Sequence, residues 1–274
     1  MLGAMNAPPR PIHSAPRNSA LRPDERPLSP RRRALLTSAV GLSGIGGALA
    51  LPGCGGGTTD SHIANLRFVN GTVDYASADF YVGSNKVFSG LANGGDSTGY
   101  GSANSGSQKI ALNPTGSSTA AISDSHVFAS DSITTVLAYG SLATALAFAY
   151  YDESDPSPAS GAFSIRAFQA SPLLTGVDIF ISNASSLAGV APSLSLPAYV
   201  ALSDYISLAI GLYRVRITAR GDTGKLLFDF PAGINVASGA VISLAVVPRA
   251  SGSLPNVSVL PEGGTALRLQ NALA

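Results

Sequence analysis

Residues 212–218, Leu-Tyr-Arg-Val-Arg-Ile-Thr, carry the pattern that decides the fold. Apolar or aromatic side chains alternate with charged or polar ones along this stretch. Such a period of two places the two sets on opposite faces of an extended strand. We expect a β-strand here, with Val215 and Ile217 on a core face and with Arg216 and Thr218 in water.

The same kind of signal recurs through most of the chain. In residues 177–181, Val, Ile and Ile alternate with Asp and Phe, and residues 133–137, 226–228 and 241–247 are short runs rich in β-forming side chains. Thirty glycines and 18 prolines separate such runs. Because no long helical period is present, the pattern predicts an all-β protein.

The two halves of the chain resemble each other. Four blocks match in the same order, with an offset that grows slowly from 99 through 105 to 108. The matching pairs are residues 65–68 with 164–167, residues 78–82 with 177–181, residues 106–112 with 211–217, and Ala129-Ser130 with Ala237-Ser238. Ordered blocks of this kind predict a duplication with small insertions in the loops.

Each copy is therefore predicted to be an antiparallel, immunoglobulin-like β-sandwich. The first sandwich covers residues 63–151 and the second covers residues 162–262. An acidic, proline-bearing linker at residues 152–161 joins them, and residues 263–274 form a C-terminal tail.

One segment, residues 142–150, gives two signals. Its alanines favour a helix by propensity. Its position in the repeat, however, corresponds to residues 254–259 of the second copy, which have the pattern of a strand. Helix and strand stay open at this point.

The N-terminal part has the organisation of an export signal. Residues 29–36, Ser-Pro-Arg-Arg-Arg-Ala-Leu-Leu, open an uncharged apolar stretch that runs to residue 51. Paired Arg32 and Arg33, a long polar region before them and a glycine-rich apolar stretch are typical of a twin-arginine leader. We expect residues 1–53 to be a cleaved signal peptide.

The apolar stretch ends in Leu51, Pro52, Gly53 and Cys54, which resemble a lipobox, with Pro52 where a small residue is common. Cys54 is the only cysteine, so the mature fold has no disulfide. A diacylglycerol on this thiol would anchor the protein through about 0.8 kcal/mol per buried methylene. Residues 54–62 would form a flexible tether. The residue after the cysteine is Gly55 and not Asp, so in a Gram-negative envelope the resemblance to sorted lipoproteins implies the outer membrane rather than the inner one. The alternative is an uncleaved transmembrane helix over residues 34–51.

Composition and charge exclude some functions. The chain is 45% hydrophobic and 12% charged, which is too apolar for a disordered protein. Seven of the 17 basic and two of the 16 acidic residues precede Cys54, which leaves ten basic and 14 acidic residues and a net charge of −4. Without a concentrated basic patch, nucleic acid is not expected as a partner.

The predicted mature chain has few residues that could support catalysis. A nucleophilic triad needs a histidine base, and only His62, in the tether, and His126 remain. His126 follows Ser123-Asp124-Ser125, which is more typical of turn chemistry than of a triad. We therefore expect no enzyme, with an envelope polymer hydrolase using His126 as the alternative.

Acidic residues offer two further candidate sites. Asp79 and Asp178 take equivalent places in the two copies, so they are expected to be solvent-side strand residues or turn caps rather than a carboxylate pair. Asp152, Glu153 and Asp155 form the densest acidic group. They lack the spacing of a calcium loop and are expected to be a solvated linker. No cofactor is predicted.

Carbohydrate binding on aromatic platforms is disfavoured because the chain has no tryptophan. Tyrosines in strands are usually packing residues. The candidate tyrosines are Tyr75, Tyr81, Tyr100, Tyr150 and Tyr151.

The second copy carries a recognisable set of residues, namely Gln169-Ala170-Ser171-Pro172, Val177-Asp178-Ile179-Phe180, Tyr205, Leu208, Gly211, Tyr213, Val215 and Ile217. With these residues it resembles the domain of unknown function 4397 family of exported bacterial proteins. The first copy is similar but departs from this pattern, with Asn70-Gly71-Thr72 at the turn and a looser passage at residues 90–106. The resemblance implies a fold and an envelope location, and it implies no catalytic residue.

The sequence thus predicts a lipid-anchored protein of the cell envelope that acts as a non-catalytic binding module. Loops such as residues 90–106 and 187–199 would be presented to another envelope protein or to a polymer. A structural spacer in an envelope assembly is the further alternative.

Overall fold

The computed structural model describes residues 62–97, 99–153, 156–249 and 254–274, which belong to one compact unit. These residues contain eighteen strands and no helix, so the expected all-β fold is confirmed. The strands are β1 (Ile63–Thr72), β2 (Ser77–Val82), β3 (Asn85–Ala92), β4 (Gly95–Asp96), β5 (Gly101–Asn104), β6 (Gly106–Pro114), β7 (Ile122–Phe128), β8 (Ile133–Ser141), β9 (Ala145–Asp152), β10 (Ala162–Gln169), β11 (Val177–Ser182), β12 (Leu194–Leu196), β13 (Ile206–Ala209), β14 (Leu212–Ala219), β15 (Asp222–Asn235), β16 (Val241–Val247), β17 (Asn256–Pro261) and β18 (Leu267–Leu269).

The strands form four sheets, two in each half of the chain. Sheet I has the order β4-β1-β8-β9, with β5 also paired to β1, and sheet II has the order β3-β2-β6-β7. In the second half, sheet III has the order β13-β10-β16-β17-β18 and sheet IV has the order β12-β11-β14-β15. The first strand of each half, β1 or β10, lies inside one sheet, and the next strand, β2 or β11, lies inside the other.

One apolar core lies between the two sheets of each half. In the first, Leu66 and Phe68 of sheet I pack with Phe80 of sheet II. In the second, Ile165 of sheet III packs in one cluster with Ile217 of sheet IV. Side chains from two facing sheets therefore enclose each core, which gives both halves a sandwich-like fold.

A third apolar cluster joins the halves. Val69, Leu137 and Tyr151 of sheet I pack with residues of sheet III such as Phe168 and Leu260. Sheets I and III are therefore covered on both faces, and we call their contact the seam. Strands buried on both faces have nearly continuous apolar sequences, which explains why all seven residues of β16 are buried.

The prediction of purely antiparallel sheets is wrong for one pair of strands in each half. β1 pairs with β8 in parallel, and β10 pairs with β16 in parallel. A parallel pair needs a long connection, and here the strands of the other sheet supply it. Side-chain alternation marks a strand but does not encode the direction of its neighbour.

The predicted strand at residues 212–218 is confirmed as β14, with Val215 and Ile217 in the core. The prediction that Arg216 and Thr218 lie in water is wrong, since both are buried. On the paired strand β11, Phe180 is also buried, with 1% of its surface exposed. The second face of sheet IV is thus covered too, and alternation alone could not show that.

Residues 145–150 belong to a strand, because β9 pairs with β8 from Ala145 onward, and residues 142–144 form the turn before it. The segments predicted as presented loops also contain strands. Residues 90–106 include β4 and β5, which pair with β1, and residues 187–199 include β12, which pairs with β11. Residues 263–274, predicted as a tail, contain β18, which pairs with β17.

The two halves use the same strand registers. Arg67 lies opposite Thr135 in the β1–β8 pair, and Arg166 lies opposite Ser243 in the β10–β16 pair. These positions correspond at offsets of 99 and 108. The β2–β6 and β11–β14 pairs correspond in the same way at offsets of 99 and 105. The offsets equal those between the matching sequence blocks.

Candidate functional site

Two buried arginines, one from each half, meet the opposite half at the seam. Arg67 in β1 is fully buried and Arg166 in β10 is 6% exposed. A buried guanidinium is costly unless its charge and its donors find partners. The partners of these two side chains therefore define how the halves are joined.

Arg67 crosses the seam through its Nη2 atom. Nη2 donates to the carbonyl oxygens of Pro261 at 2.6 Å and Gly264 at 3.0 Å, both in the second half. It also donates to the hydroxyl of Tyr100, which itself donates to Glu153 at 2.5 Å. Nε and Nη1 have no hydrogen-bond partner among the described residues, but the guanidinium carbon lies 4.4 Å from the centre of the Tyr100 ring. A cation–π contact thus adds to the hydrogen bonds.

Arg166 makes the reciprocal contact. Its Nη2 donates to the carbonyl oxygen of Asp152 in the first half at 2.9 Å, and its Nε donates to the Ser243 hydroxyl at 3.0 Å. Its guanidinium carbon lies 4.6 Å from the centre of the Tyr205 ring. Tyr205 donates to Glu262 at 2.7 Å. Each half therefore contributes an Arg-Tyr-Glu set, and each arginine binds a carbonyl at the end of a strand in the other half.

The two tyrosines of these sets keep their protons at neutral pH. Burial raises the pKa of Tyr100, and the negative charge of Glu153 raises it further. Burial also raises the pKa of Tyr205, as does its hydrogen bond to Glu262. Both hydroxyls therefore act as donors to a carboxylate, which makes the two sets positioning elements of the seam rather than acid–base groups.

A cavity of about 360 Å³ opens at one end of the seam, and we call it the seam pocket. Both halves line it. The lining side chains with polar groups are Asn93 from the first half and Arg249, Asn256, Arg268, Gln270 and Asn271 from the second. Arg268 also connects the halves, since its Nη2 donates to the carbonyl oxygen of Gly94. The lining contains no acidic side chain.

The turn that holds Asn93 approaches the second half very closely. Gly94 has φ +62°, and a Cβ there would lie 2.3 Å from the carbonyl oxygen of Pro248 and 2.6 Å from Nδ2 of Asn256. The side-chain amide of Asn93 donates to the carbonyl oxygens of Thr72 and Val73. This wall of the pocket is therefore fixed by backbone contacts on both sides of the seam.

The predicted leader residues lie outside the described residues. This applies to Arg32, Arg33, Leu51, Pro52, Gly53 and Cys54. The lipid anchor and the export route stay predictions. Within the described ranges, no helix has the length and hydropathy needed to cross a membrane.

His126 lies in an aromatic group at the edge of the first sandwich. Its ring stacks on Tyr150 with centroids 3.7 Å apart and planes 9° apart, and it meets Phe128 edge to face at 4.8 Å. Asp124 accepts a hydrogen bond from Tyr150 at 3.3 Å rather than orienting the imidazole. His126 therefore packs against Tyr150 and Phe128 in this structure.

Of the two roles expected for Asp79 and Asp178, a solvent-side strand residue or a turn cap, the turn cap is found for Asp178, and neither side chain faces solvent. Asp79, 1% exposed, accepts hydrogen bonds from Lys86 at 2.6 Å and from the backbone of Gly90 at 2.8 Å. Asp178 accepts one from the backbone of Gly221 at 2.8 Å. Burial by itself raises the pKa of Asp79, but the hydrogen bond from Lys86 and the others outweigh it and hold that pKa below its usual value.

The acidic residues at the end of β9 make separate contacts. Asp152 accepts a hydrogen bond from Thr134 at 2.9 Å, and Glu153 accepts one from Thr135 at 2.7 Å in addition to that from Tyr100. Asp155 lies outside the described residues. The expectation of a solvated linker is thus wrong for Glu153. Across the described ranges, no three acidic, histidine or cysteine side chains converge as a metal site.

The candidate tyrosines differ in their roles. Tyr151 is buried in the seam cluster, Tyr75 packs against the first core, and Tyr81 has the ammonium of Lys86 at 5.7 Å from its ring centre. Tyr100 belongs to the Arg67 set. Packing was the expected role, and it holds for Tyr75, Tyr150 and Tyr151.

The sequence prediction did not single out the seam arginines, although a signal for them exists. The first matching block of the repeat places an arginine inside an apolar run at the same position in both halves, at Arg67 and Arg166. A charge retained in two otherwise apolar strands indicates a buried polar contact. The lining of the seam pocket has no such signal, because its residues come from separate turns and strand ends.

Comparison with protein families gives one match. Residues 64–180 match the family described as a domain of unknown function (DUF4397). A search of curated proteins found no match to the chain.

The DUF4397 match begins in β1 and ends in β11, so it takes in the first sandwich and the opening of the second. It includes residues 169–172 and 177–180, which carried the resemblance in the sequence, and the predicted family is confirmed. Residues 205–217, which also carried it, lie beyond the DUF4397 match. That the second half is a further copy of the family stays a prediction.

Proposed function

We propose that this DUF4397 protein is a lipid-anchored, non-catalytic binding module of a bacterial cell envelope. In this proposal two copies of one sandwich form a single body on a tether, and the ligand binds in the seam pocket. The observation that carries the binding role is the seam pocket itself, where two arginines and several amides from both halves line an open cavity.

The anchor is supported by the sequence of the leader. An arginine pair, an uncharged apolar stretch and a single cysteine follow one another in the order of a lipoprotein signal. A lipid on Cys54 would hold the body at the membrane surface through the short glycine-rich segment after it. The outer membrane is the proposed location, since Gly55 follows the cysteine.

A labelling experiment tests the anchor. Cells expressing the full chain are fed an alkyne analogue of palmitate, and we expect label on the wild-type protein and none on Cys54→Ser. Retention of label by the serine variant would exclude Cys54 as the lipidated residue. Arg32→Lys/Arg33→Lys serves as the companion variant, because it keeps the charge and is expected to block export if the twin-arginine route is used.

Duplication is supported by the agreement between sequence offsets and strand registers. The offsets of 99, 105 and 108 relate both the matching blocks and the paired strands of the two halves. The Arg-Tyr-Glu sets add three residue types that recur at corresponding places. Two independent folds would have no reason to share these registers.

Crosslinking in intact cells tests the binding site. A photoreactive amino acid at Gln270, which lines the seam pocket, is expected to give a crosslinked product upon irradiation. The matched control is the same amino acid at Val127, which is well exposed on β7 and away from the pocket lining. Equal products at both positions, or no product at Gln270, would remove the seam pocket as the binding site.

A further inference from the structure

We propose that the seam pocket recognises an acidic glycan, through a sugar that bears both a carboxylate and hydroxyl groups. This inference rests on the proposed binding function and names the class of its ligand.

The charge of the pocket favours an anion. Arg249 and Arg268 both line it and no acidic side chain does, although the chain from Cys54 onward carries a net charge of −4. Asp96 lies close enough to Arg268 to interact with its charge, but it is not part of the lining. Guanidinium groups bind carboxylates through paired, charge-assisted hydrogen bonds.

The amides of the pocket favour hydroxyl groups beside that anion. The Asn271 side chain is already engaged, because it accepts from the backbone of Asp229 and donates to that of Leu227. The side chains of Asn256 and Gln270 have no hydrogen bond to another described residue. Each offers donors and an acceptor, whereas a guanidinium only donates. A sugar hydroxyl can donate to an amide oxygen, whereas a fully ionised anion only accepts.

The fold does not require these side chains. In the first half, Ala147 takes the register that Asn256 has in the second, and Ser141 lies at the offset that corresponds to Arg249, two residues past the end of β16. That end of the seam has no charged side chain at either position. The polar set therefore occurs at one end only, as expected of a binding site and not of a structural element repeated in both halves.

The packing around the corresponding position also differs. Near Ser141, the rings of Tyr139 and Tyr199 pack edge to face with centroids 5.8 Å apart. At the pocket end, Val247 takes the register of Tyr139. The smaller valine side chain lacks the ring that contacts Tyr199. The two ends of the seam have therefore diverged, one towards aromatic packing and the other towards an open polar cavity.

Calorimetry on the purified full-length protein in detergent tests the ligand class, at low ionic strength so that charge interactions are not screened. The probes are oligogalacturonate, uncharged oligogalactose of the same length, and inorganic phosphate. We expect binding of oligogalacturonate that is at least about tenfold weaker in Arg249→Gln, since a hydrogen bond to a charged group contributes that much. Arg220→Gln, an exposed arginine outside the pocket, is the control and is expected to bind as wild type.

A second variant separates sugar from anion recognition. Asn256→Ala is expected to weaken oligogalacturonate binding and to leave any phosphate binding unchanged. Equal binding of oligogalactose, wild-type affinity for oligogalacturonate in Arg249→Gln, or wild-type affinity for oligogalacturonate in Asn256→Ala would overturn the proposal. If the wild-type protein binds none of the three probes but still gives the crosslinked product at Gln270, the ligand class alone is refuted. Loss of the crosslink as well would refute the binding function.

Discussion

At the scale of residues, the charge buried at the seam determines which contacts are strong. Arg67 depends on Tyr100 and on two carbonyl oxygens, and Tyr100 depends on Glu153. A buried hydrogen-bonded network of this kind is stabilising only when its members are satisfied together. Removing one hydroxyl should therefore affect both the guanidinium and the carboxylate.

Tyr100→Phe tests this dependence. The change keeps the ring over Arg67 but removes the hydroxyl between Arg67 and Glu153, so we expect the free energy of unfolding to fall by about 1–3 kcal/mol. Urea denaturation measures it. The matched control is Tyr75→Phe, because the Tyr75 hydroxyl makes no hydrogen bond to another described residue, and its cost should stay near about 0.5 kcal/mol. Equal losses in the two variants would contradict the role of the Tyr100 hydroxyl.

At the scale of elements, the β3–β4 turn determines how closely the two halves approach. Gly94 has no Cβ, and the backbone at Pro248 and the side chain of Asn256 occupy the space that a Cβ would need. Its φ of +62° also lies in the left-handed region that glycine adopts at no steric cost. The turn thus serves both the seam and one wall of the seam pocket.

Gly94→Ala tests the close approach, with Gly83→Ala as its matched control. Gly83 has nearly the same φ, +61°, but a Cβ there meets nothing within 4 Å. Both variants carry the strain of a left-handed alanine, about 1–2 kcal/mol. We expect Gly94→Ala to lose a further ~1–3 kcal/mol of unfolding free energy through overpacking, as measured by thermal and urea denaturation. Equal losses of unfolding free energy in the two variants would show that the seam accommodates a Cβ at Gly94 without strain.

At the scale of the whole molecule, the four sheets form one body because the two inner sheets share the seam. Apolar packing of Leu137 and Phe168 lies beside the two Arg-Tyr-Glu sets. The same interface therefore combines burial of apolar area with buried charged groups that have few alternative hydrogen-bond partners. We expect the halves to unfold together, in one transition.

The seam should make stability sensitive to alkaline pH. The pKa values of Tyr100 and Tyr205 are raised in the folded protein, so their contribution is complete below about pH 10, the ordinary tyrosine pKa, and is lost as pH rises through the folded values. In Tyr100→Phe/Tyr205→Phe the decline should be shallower, though still present, because burial raises the pKa of Tyr150, and that of Tyr151 to about 12. Urea midpoints across an alkaline series measure it. An unchanged slope in the double variant would contradict this assignment.

Much of the fold could be predicted from local pattern. The strands at residues 133–137, 226–228 and 241–247 lie within β8, β15 and β16, as their composition indicated. Burial of Arg216 and Thr218 could not be predicted, because it depends on which surface covers the second face of a sheet. A sequence period of two distinguishes two faces but does not reveal whether one of them is later buried.

The amino-acid sequence by itself determined the all-β class, the family, and the correspondence between the two halves, since these follow from side-chain period and from residue order. Only the tertiary structure decided the parallel strand pairs, the reciprocal arginine contacts and the seam pocket. Each of these brings together residues far apart in the chain, as when Arg67 meets Pro261 or Arg268 meets Gly94. Such contacts arise from how sheets pack, which no local stretch of sequence encodes.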